Sequence, residues 1–275
     1  MNFIDNVLAG RISLPMVSRV IGQVLAILRR PDASVAELAE ELQQDPVLSS
    51  RVLRLAHSSF FSGRRSLASI DDAVGMVGFR SLQTLVVASG AMAAFSEVPA
   101  VNLRQFWMAS VVTAAAARQI ASRMGVDGET AYSAGLLQGI GHLILCQSHP
   151  EQALRSFSGY QSLWGAALAE KERVAFGYSH PAVSAAWVDQ LGMPTVVAEA
   201  IHHSLDPLSD DAPRLGRVVQ FATGVAASVS AGETVEQATQ RIDQALVELL
   251  ELGSYVAGPR FETDFGDLLT LPVPQ

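Results

Sequence analysis

The chain has 275 residues, of which 49% are hydrophobic and 17% are charged, and its net charge is −8. This composition is too apolar for a disordered protein and suffices for one large domain or two modest ones with a buried core. The sequence has no apolar stretch of about 18 to 20 residues and no basic leader before an apolar one, so it predicts a soluble cytoplasmic protein without a membrane span. The single cysteine, Cys146, excludes an intramolecular disulfide and the usual thiolate metal sites.

The acidic charge is concentrated in the second half of the chain. Up to Leu137 there are 12 Arg and Lys residues against 11 Asp and Glu, whereas the remainder has 7 against 16. Because nucleic-acid binding needs a positive surface, this balance argues against general nucleic-acid binding. Five arginines in the first half could form a local basic patch, although solvated helix faces explain them more simply: Arg51, Arg54, Arg64, Arg65 and Arg80. No P-loop or dinucleotide-binding motif is present, so we expect no bound cofactor.

Helical periodicity runs through the sequence and predicts an all-α, multi-helix bundle. Ser34 to Glu37 has the pattern of a capping box, and Asp45-Pro46 combines an N-cap with proline at the first helical position. The predicted helices cover residues 15–29, 35–43, 46–57, 70–76, 79–94, 103–124, 130–147, 150–156, 161–175, 181–190, 195–204, 213–230 and 235–251. From residue 253 to 275 the sequence lacks sustained periodicity and predicts an irregular tail.

Several segments, in this order along the chain, resemble an HDOD domain, the HD-related output domain of bacterial signalling proteins. They are Leu14-Pro15, residues 32–39, residues 44–61, residues 69–74, residues 77–82, Phe106-Trp107 and Ala134 to Leu137. The resemblance implies an HD-like helical bundle over residues 10–208. Residues 209–252 then form a C-terminal helical extension ahead of the tail.

HD phosphohydrolases hold one or two metal ions that activate water for attack on a phosphate. Where the resemblance places a histidine after Phe106-Trp107-Met108, this sequence has Ala109. Where it places a His-Asp pair, the sequence has Gln138-Gly139. Alanine and glycine side chains offer no donor atom, and a neutral glutamine is a poor substitute for imidazole. The sequence therefore predicts a degenerate metal site without a catalytic metal.

Four histidines remain as candidates for the vestigial pocket. His180 and the pair His202-His203 stand where HD-GYP relatives also have histidines, and they either remain from a metal site or simply cap helix ends. His142 stands where metal-dependent relatives commonly have lysine, and it either contacts an anion or is a buried residue bonded to a carbonyl. We assign the two nearby carboxylates, Glu170 and Glu172, to a solvated helix face.

Three functions remain open from the sequence. The first is a non-catalytic signal-transduction module that binds a signalling protein or a small ligand. The second is a residual metal-dependent phosphohydrolase or phosphodiesterase that uses His180, His202 and His203. The third is a nucleotide-binding sensor without turnover. No receiver, kinase or DNA-binding domain is recognisable, so we expect signals to reach the chain by non-covalent association.

The segment from residue 85 to 95 is almost entirely apolar and needs to be covered by other helices. A separated half would expose a large apolar patch there, although Ser96 to Ala100 could mark a boundary between subdomains. We therefore predict a single cooperative unfolding transition in calorimetry. Two well-separated transitions, one of which is recovered in a fragment of residues 1–98, would contradict this.

Overall fold

The fold is helical throughout the part of the chain that the computed structural model describes, which is residues 19–30, 32–56, 70–160 and 165–271. No β-strand occurs within these ranges. The described residues up to Ser96 form one compact unit, and those from Glu97 onwards form another. No helix within the described ranges is long and apolar enough to cross a membrane.

The first unit contains α1 (Arg19–Leu28), α2 (Val35–Gln43), α3 (Pro46–Ala56) and α4 (Ile70–Ala94). The Ser34 side chain accepts a hydrogen bond from the Glu37 backbone N–H, as the sequence predicts, but the Glu37 carboxylate pairs with Arg30 at 2.5 Å. Asp45 caps α3 by accepting from the backbone N–H groups of Val47 and Leu48. These caps satisfy N–H groups that have no partner inside a helix.

The helix α4 is interrupted at Gly78, whose φ of 75° and ψ of 167° are not helical. The sequence predicts two helices here, 70–76 and 79–94, and the break falls between them. Helices α1, α2 and α3 pack on α4, and a Cβ atom added to Gly90 would clash with the Ile21 Cδ1 atom, so that the Ile21 side chain would have to shift. The apolar segment therefore has partners within its own unit, and the single unfolding transition stays a prediction.

The second unit contains the remaining helices. They are α5 (Leu103–Arg123), α6 (Gly128–Leu137), α7 (Ile140–Ser148), α8 (Pro150–Phe157), α9 (Ala166–Phe176), α10 (His180–Gln190), α11 (Thr195–His202), α12 (Arg214–Ser230), α13 (Val235–Arg241), α14 (Gln244–Leu249), α15 (Gly253–Val256) and α16 (Pro259–Leu269). Two predicted helices are each divided: 130–147 breaks at Gln138-Gly139, and 235–251 breaks after Arg241. Parts of three predicted helices, residues 15–18, residue 57 and residues 161–164, lie outside the described residues.

The helices α5 and α6 pack closely because their facing residues are small. A Cβ atom added to Gly135 would lie 2.9 Å from the Ala114 Cα atom and 3.0 Å from the Thr113 carbonyl oxygen. Both neighbours belong to the backbone and cannot rotate away. The four-residue connection between α5 and α6 makes these helices antiparallel neighbours.

The prediction of an irregular tail was wrong, because α15 and α16 occupy residues 253–256 and 259–269. Phe261, Phe265 and Leu268 are buried at helical spacing, an apolar stripe that the glycine, proline and acidic residues of this segment obscure in the sequence. The buried Asp264 carboxylate pairs with Arg123 at 2.6 Å and with Arg260 at 3.1 Å. It also accepts a hydrogen bond from the Tyr255 hydroxyl at 3.0 Å.

We predict that Gly135→Ala destabilises the protein by about 1 to 3 kcal/mol, since the added methyl group overpacks the α5 and α6 contact. Urea unfolding followed by circular dichroism measures the change. Gly224→Ala on α12 is the matched control, because a Cβ atom there meets nothing within 4 Å. This control should be neutral or should stabilise the protein by up to about 1 kcal/mol. Equal effects of the two substitutions would contradict the prediction.

Candidate functional site

A buried carboxylate, that of Glu172 on α9, lies between two histidine rings. Its Oε1 atom is 2.7 Å from His142 Nδ1, and its Oε2 atom is 2.7 Å from His180 Nδ1. The side chains of Glu172 and His180 are fully buried, and that of His142 is 8% exposed. An ionised carboxylate can only accept hydrogen bonds, so each imidazole donates from a protonated Nδ1 atom.

The same carboxylate also caps α10. Its Oε2 atom accepts a hydrogen bond from the His180 backbone N–H at 2.7 Å, and the preceding residue, Ser179, makes no side-chain cap. A negative charge at the N-terminus of a helix is favourable, because unpaired N–H groups and the positive end of the helix dipole lie there. His180 is thus the first residue of α10 rather than its cap, which corrects the capping role that the sequence suggested.

A second polar connection fixes the break between α6 and α7 against α10. The Ser184 hydroxyl donates to the Gln138 carbonyl oxygen and accepts from the Gly141 backbone N–H, both at 2.7 Å. A Cβ atom on Gly141 would lie 2.9 Å from the Ser184 backbone nitrogen. Glycine is therefore required for α7 to approach the first turn of α10.

The electrostatics of the cluster favour an ionised Glu172. Burial alone would raise the pKa of this carboxyl group, but attraction to His180 and the hydrogen bonds from His142 and His180 outweigh burial and lower the pKa to about 2. Burial raises the pKa of the Cys146 thiol, and the charge of Glu172 raises it further.

Cys146, His142 and Glu172 are arranged in space like the nucleophile, the base and the orienting carboxylate of a catalytic triad. The Cys146 Sγ atom lies 3.6 Å from His142 Nε2. However, Cys146 is fully buried and its raised pKa keeps the thiol protonated, whereas a catalytic cysteine needs an accessible thiolate. The arrangement therefore supports a structural hydrogen-bond chain and not a nucleophile.

The residues that replace the expected metal ligands lie in the interior of the second unit. Ala109 is fully buried in α5, and Gln138 is 2% exposed, with a buried Nε2 atom that has no hydrogen-bond partner among the described residues. Gly139 precedes α7. Since Gly135 faces Thr113 and Ala114, the antiparallel register places Gln138, one turn further along, level with Ala109.

The four candidate histidines separate into two pairs. His142 and His180 share Glu172, whereas His202 is exposed at the end of α11 and its ring centroid is 5.2 Å from that of His203. Neither His202 nor His203 is hydrogen-bonded to Glu172. Within the described ranges, no group of three or more His, Cys, Asp or Glu side chains is arranged to hold a metal ion.

The assignment of both glutamates to a solvated face was wrong for Glu172, although Glu170 is exposed and pairs with Arg173. Glu172 lies four residues after the buried Leu168 and four before Phe176, which is 9% exposed. This spacing in the sequence could have indicated a carboxylate inside an apolar stripe. His142 is also bonded differently from the expected carbonyl contact, because its partner is a carboxylate.

The five arginines of the possible basic patch are only partly described. Arg54 is exposed and Arg51 is half-buried on α3. Arg64 and Arg65 lie outside the described residues, as does the side chain of Arg80. The absence of general nucleic-acid binding stays a prediction from the charge balance.

Comparison with known families resolves the identity of the fold, because the HDOD domain model matches residues 14–207. The chain belongs to the HDOD family. The match includes His142, Glu172 and His180, so the buried cluster lies inside the HDOD domain of this chain.

Solved structures share this fold over nearly the whole chain. A candidate phosphohydrolase from Shewanella amazonensis SB2B is 24% identical with a TM-score of 0.69, and 97% of each chain is covered. An HDOD domain protein of unknown function from Geobacter sulfurreducens is 21% identical with a TM-score of 0.65, also with 97% of each chain covered. A candidate signal transduction protein from Marinobacter aquaeolei VT8 is 21% identical with a TM-score of 0.66, covering 98% of this chain and 58% of that one.

A curated relative, an uncharacterized protein from Treponema pallidum, is 24% identical over 220 residues. The alignment covers 78% of this chain and 42% of the relative. The HDOD chain therefore spans less than half the length of this protein.

We predict that Glu172→Gln lowers the free energy of unfolding by about 3 kcal/mol at neutral pH, because a neutral amide presents an N–H group to an imidazole that also donates. Urea unfolding measures the change. Glu170→Gln, two residues away on the exposed face, is the matched control and should change stability by no more than about 0.5 kcal/mol.

The pH dependence gives a further check of the same substitution. Because the folded pKa of Glu172 is about 2 and the ordinary value is 4.5, the stabilisation is complete above pH 4.5 and is lost as pH falls towards 2. The difference between wild type and Glu172→Gln should therefore shrink over this range. A difference that grows in acid would contradict the role of the ionised carboxylate.

Proposed function

We propose that this chain is a non-catalytic HDOD signalling module, which binds a signalling protein or a small ligand and transmits a change in helix packing. The observation that carries the proposal is the hydrogen bonding of both His142 and His180 to Glu172. The carboxylate accepts three hydrogen bonds, and through them it holds α7, α9 and α10 together.

The residues at the expected ligand positions support this proposal. Ala109 and Gly139 have no donor atom, and the amide of Gln138 is neutral. A two-metal hydrolase needs several anionic or imidazole ligands, because these ligands must replace the water molecules that the metal ions lose on binding. The loss of even one residue that orients a metal ligand typically costs about 10- to 100-fold in affinity or activity.

The alternative is a residual metal-dependent phosphohydrolase or phosphodiesterase that uses His180, His202 and His203. The description of the Shewanella protein as a candidate phosphohydrolase makes this the relevant competitor. The exposed His202 and the half-buried His203 can bind zinc or nickel adventitiously, so metal content alone does not decide between the two functions.

We expect the purified protein to hydrolyse neither phosphate monoesters nor diesters nor cyclic dinucleotides when manganese, iron or nickel is added. The measurement is turnover by the wild type, by His180→Ala and by His202→Ala, each first shown by circular dichroism to be folded. Metal-dependent turnover by the wild type that both substitutions abolish would overturn the non-catalytic proposal.

The form of signalling is tested by titration. Isothermal calorimetry with cyclic dinucleotides and with guanosine tetraphosphate separates a nucleotide-binding sensor from a module that binds only a protein. A stoichiometric heat of binding without turnover assigns the sensor role. Affinity capture from the native cell then identifies candidates for a protein partner.

A further inference from the structure

The helix α9 is bounded by a glycine with positive φ at each end. Gly165 precedes it with a φ of 99°, and Gly177 follows it with a φ of 82°. A Cβ atom at either position would meet nothing within 4 Å, so neither glycine is required by close packing. Residues of this kind can absorb a change of backbone dihedral angle, which is what a hinge needs.

The inner face of α9 combines apolar burial with the carboxylate. Leu168, Ala169, Glu172 and Phe176 are buried on this face, and Phe176 stacks on Phe157 of α8 with ring centroids 5.4 Å apart. The outer face is open to solvent, with Val174 82% exposed. The helix α9 therefore contacts the rest of the unit along one face only, and on that face Glu172 forms hydrogen bonds to both α7 and α10.

The side chains around the Glu172 carboxylate belong to neighbouring helices. Glu172 is bonded to His142 of α7, whose Nε2 atom lies 3.6 Å from the Cys146 Sγ atom and whose ring packs against Phe157 of α8 at 5.3 Å. His142, Cys146 and His180 are all buried with α9 in place.

The connection made by Glu172 favours two discrete positions of α9. With α9 closed, the carboxylate has three hydrogen bonds. With α9 open, water can solvate it, whereas an intermediate position would leave an unsatisfied charge in an apolar interior. Closed and open states are thus separated by arrangements of higher free energy, which is the property of a switching element.

We infer that α9 is a lid over the buried rings of His142 and His180, hinged at Gly165 and Gly177 and held closed by Glu172. Opening of this lid is the change in helix packing that gives a partner or small ligand access to these rings. The inference rests on the proposed signalling function, since it identifies the element that moves.

The protein carries its own probe for the lid, because Cys146 is the single cysteine and its buried thiol lies 3.6 Å from the His142 ring that Glu172 binds. The experiment measures the rate at which 4,4′-dithiodipyridine labels Cys146 in the native full-length chain at increasing urea concentrations. Circular dichroism follows global unfolding under the same conditions. Local opening exposes less surface than global unfolding, so the labelling rate at low urea should rise with a clearly smaller slope.

Two variants test whether Glu172 holds the lid closed. Glu172→Gln should accelerate labelling without urea by the full factor of its global destabilisation and should keep the small urea slope, because the open lid has already lost the hydrogen bonds of the carboxylate. Glu170→Gln should stay within about twofold of the wild type, and a Glu172→Gln labelling rate equal to that of the wild type would contradict the role of Glu172. Hydrogen exchange in the wild type adds a measurement that needs no substitution. The amides of α9 and of His180 should exchange before those of α7.

Labelling of wild-type Cys146 with the full urea slope of global unfolding would overturn the lid, as would exchange of α7 and α9 at one common rate. This result is independent of the function assay. Metal-dependent turnover would refute the non-catalytic proposal without changing the labelling, and global-only labelling would refute the lid in a protein that still has no turnover.

Discussion

The packing of the second unit around the candidate site depends on one constraint, the buried and ionised carboxylate of Glu172. A buried charge is costly unless hydrogen bonds replace its water. Here the replacement comes from two imidazoles and a backbone N–H, which belong to α7 and to the start of α10. Glu172 can remain buried and ionised only while α7, α9 and α10 keep their relative positions, so the charge ties the three helices together.

Small residues make this arrangement sterically possible. Gly141 lets α7 approach the first turn of α10, and Gly135 lets α6 approach α5. Near this contact, Ala109 is fully buried in α5 and Gly139 precedes α7.

The C-terminal helices extend the same packing beyond the HDOD match. Asp264 reaches back 141 residues to Arg123 at the end of α5, and the Arg123 guanidinium lies 4.4 Å from the centre of the Tyr255 ring. This end of α5 is therefore held by charge and by an aromatic contact, while its middle packs on α6. The helix α5 thus connects the C-terminal helices to α6.

The sequence by itself determined the helical fold, the HDOD family and the absence of donor atoms at Ala109 and Gly139. These features are local, because periodicity, helix caps and short motifs can be read from neighbouring residues. It also predicted most helix positions, including the separation near Gly78. The tail was missed because its apolar stripe becomes visible only when Phe261, Phe265 and Leu268 are placed on one helix.

Only the tertiary structure decided the role of Glu172. Its partners are 30 residues before it and 8 residues after it, and no local pattern states that α7 and α10 meet at this side chain. Glu170 and Glu172 have the same chemistry in the sequence, yet one faces solvent and the other two histidines. The difference arises from a rotation of about 200° around the helix between the two positions, and only packing against the neighbouring helices fixes which side becomes the interior.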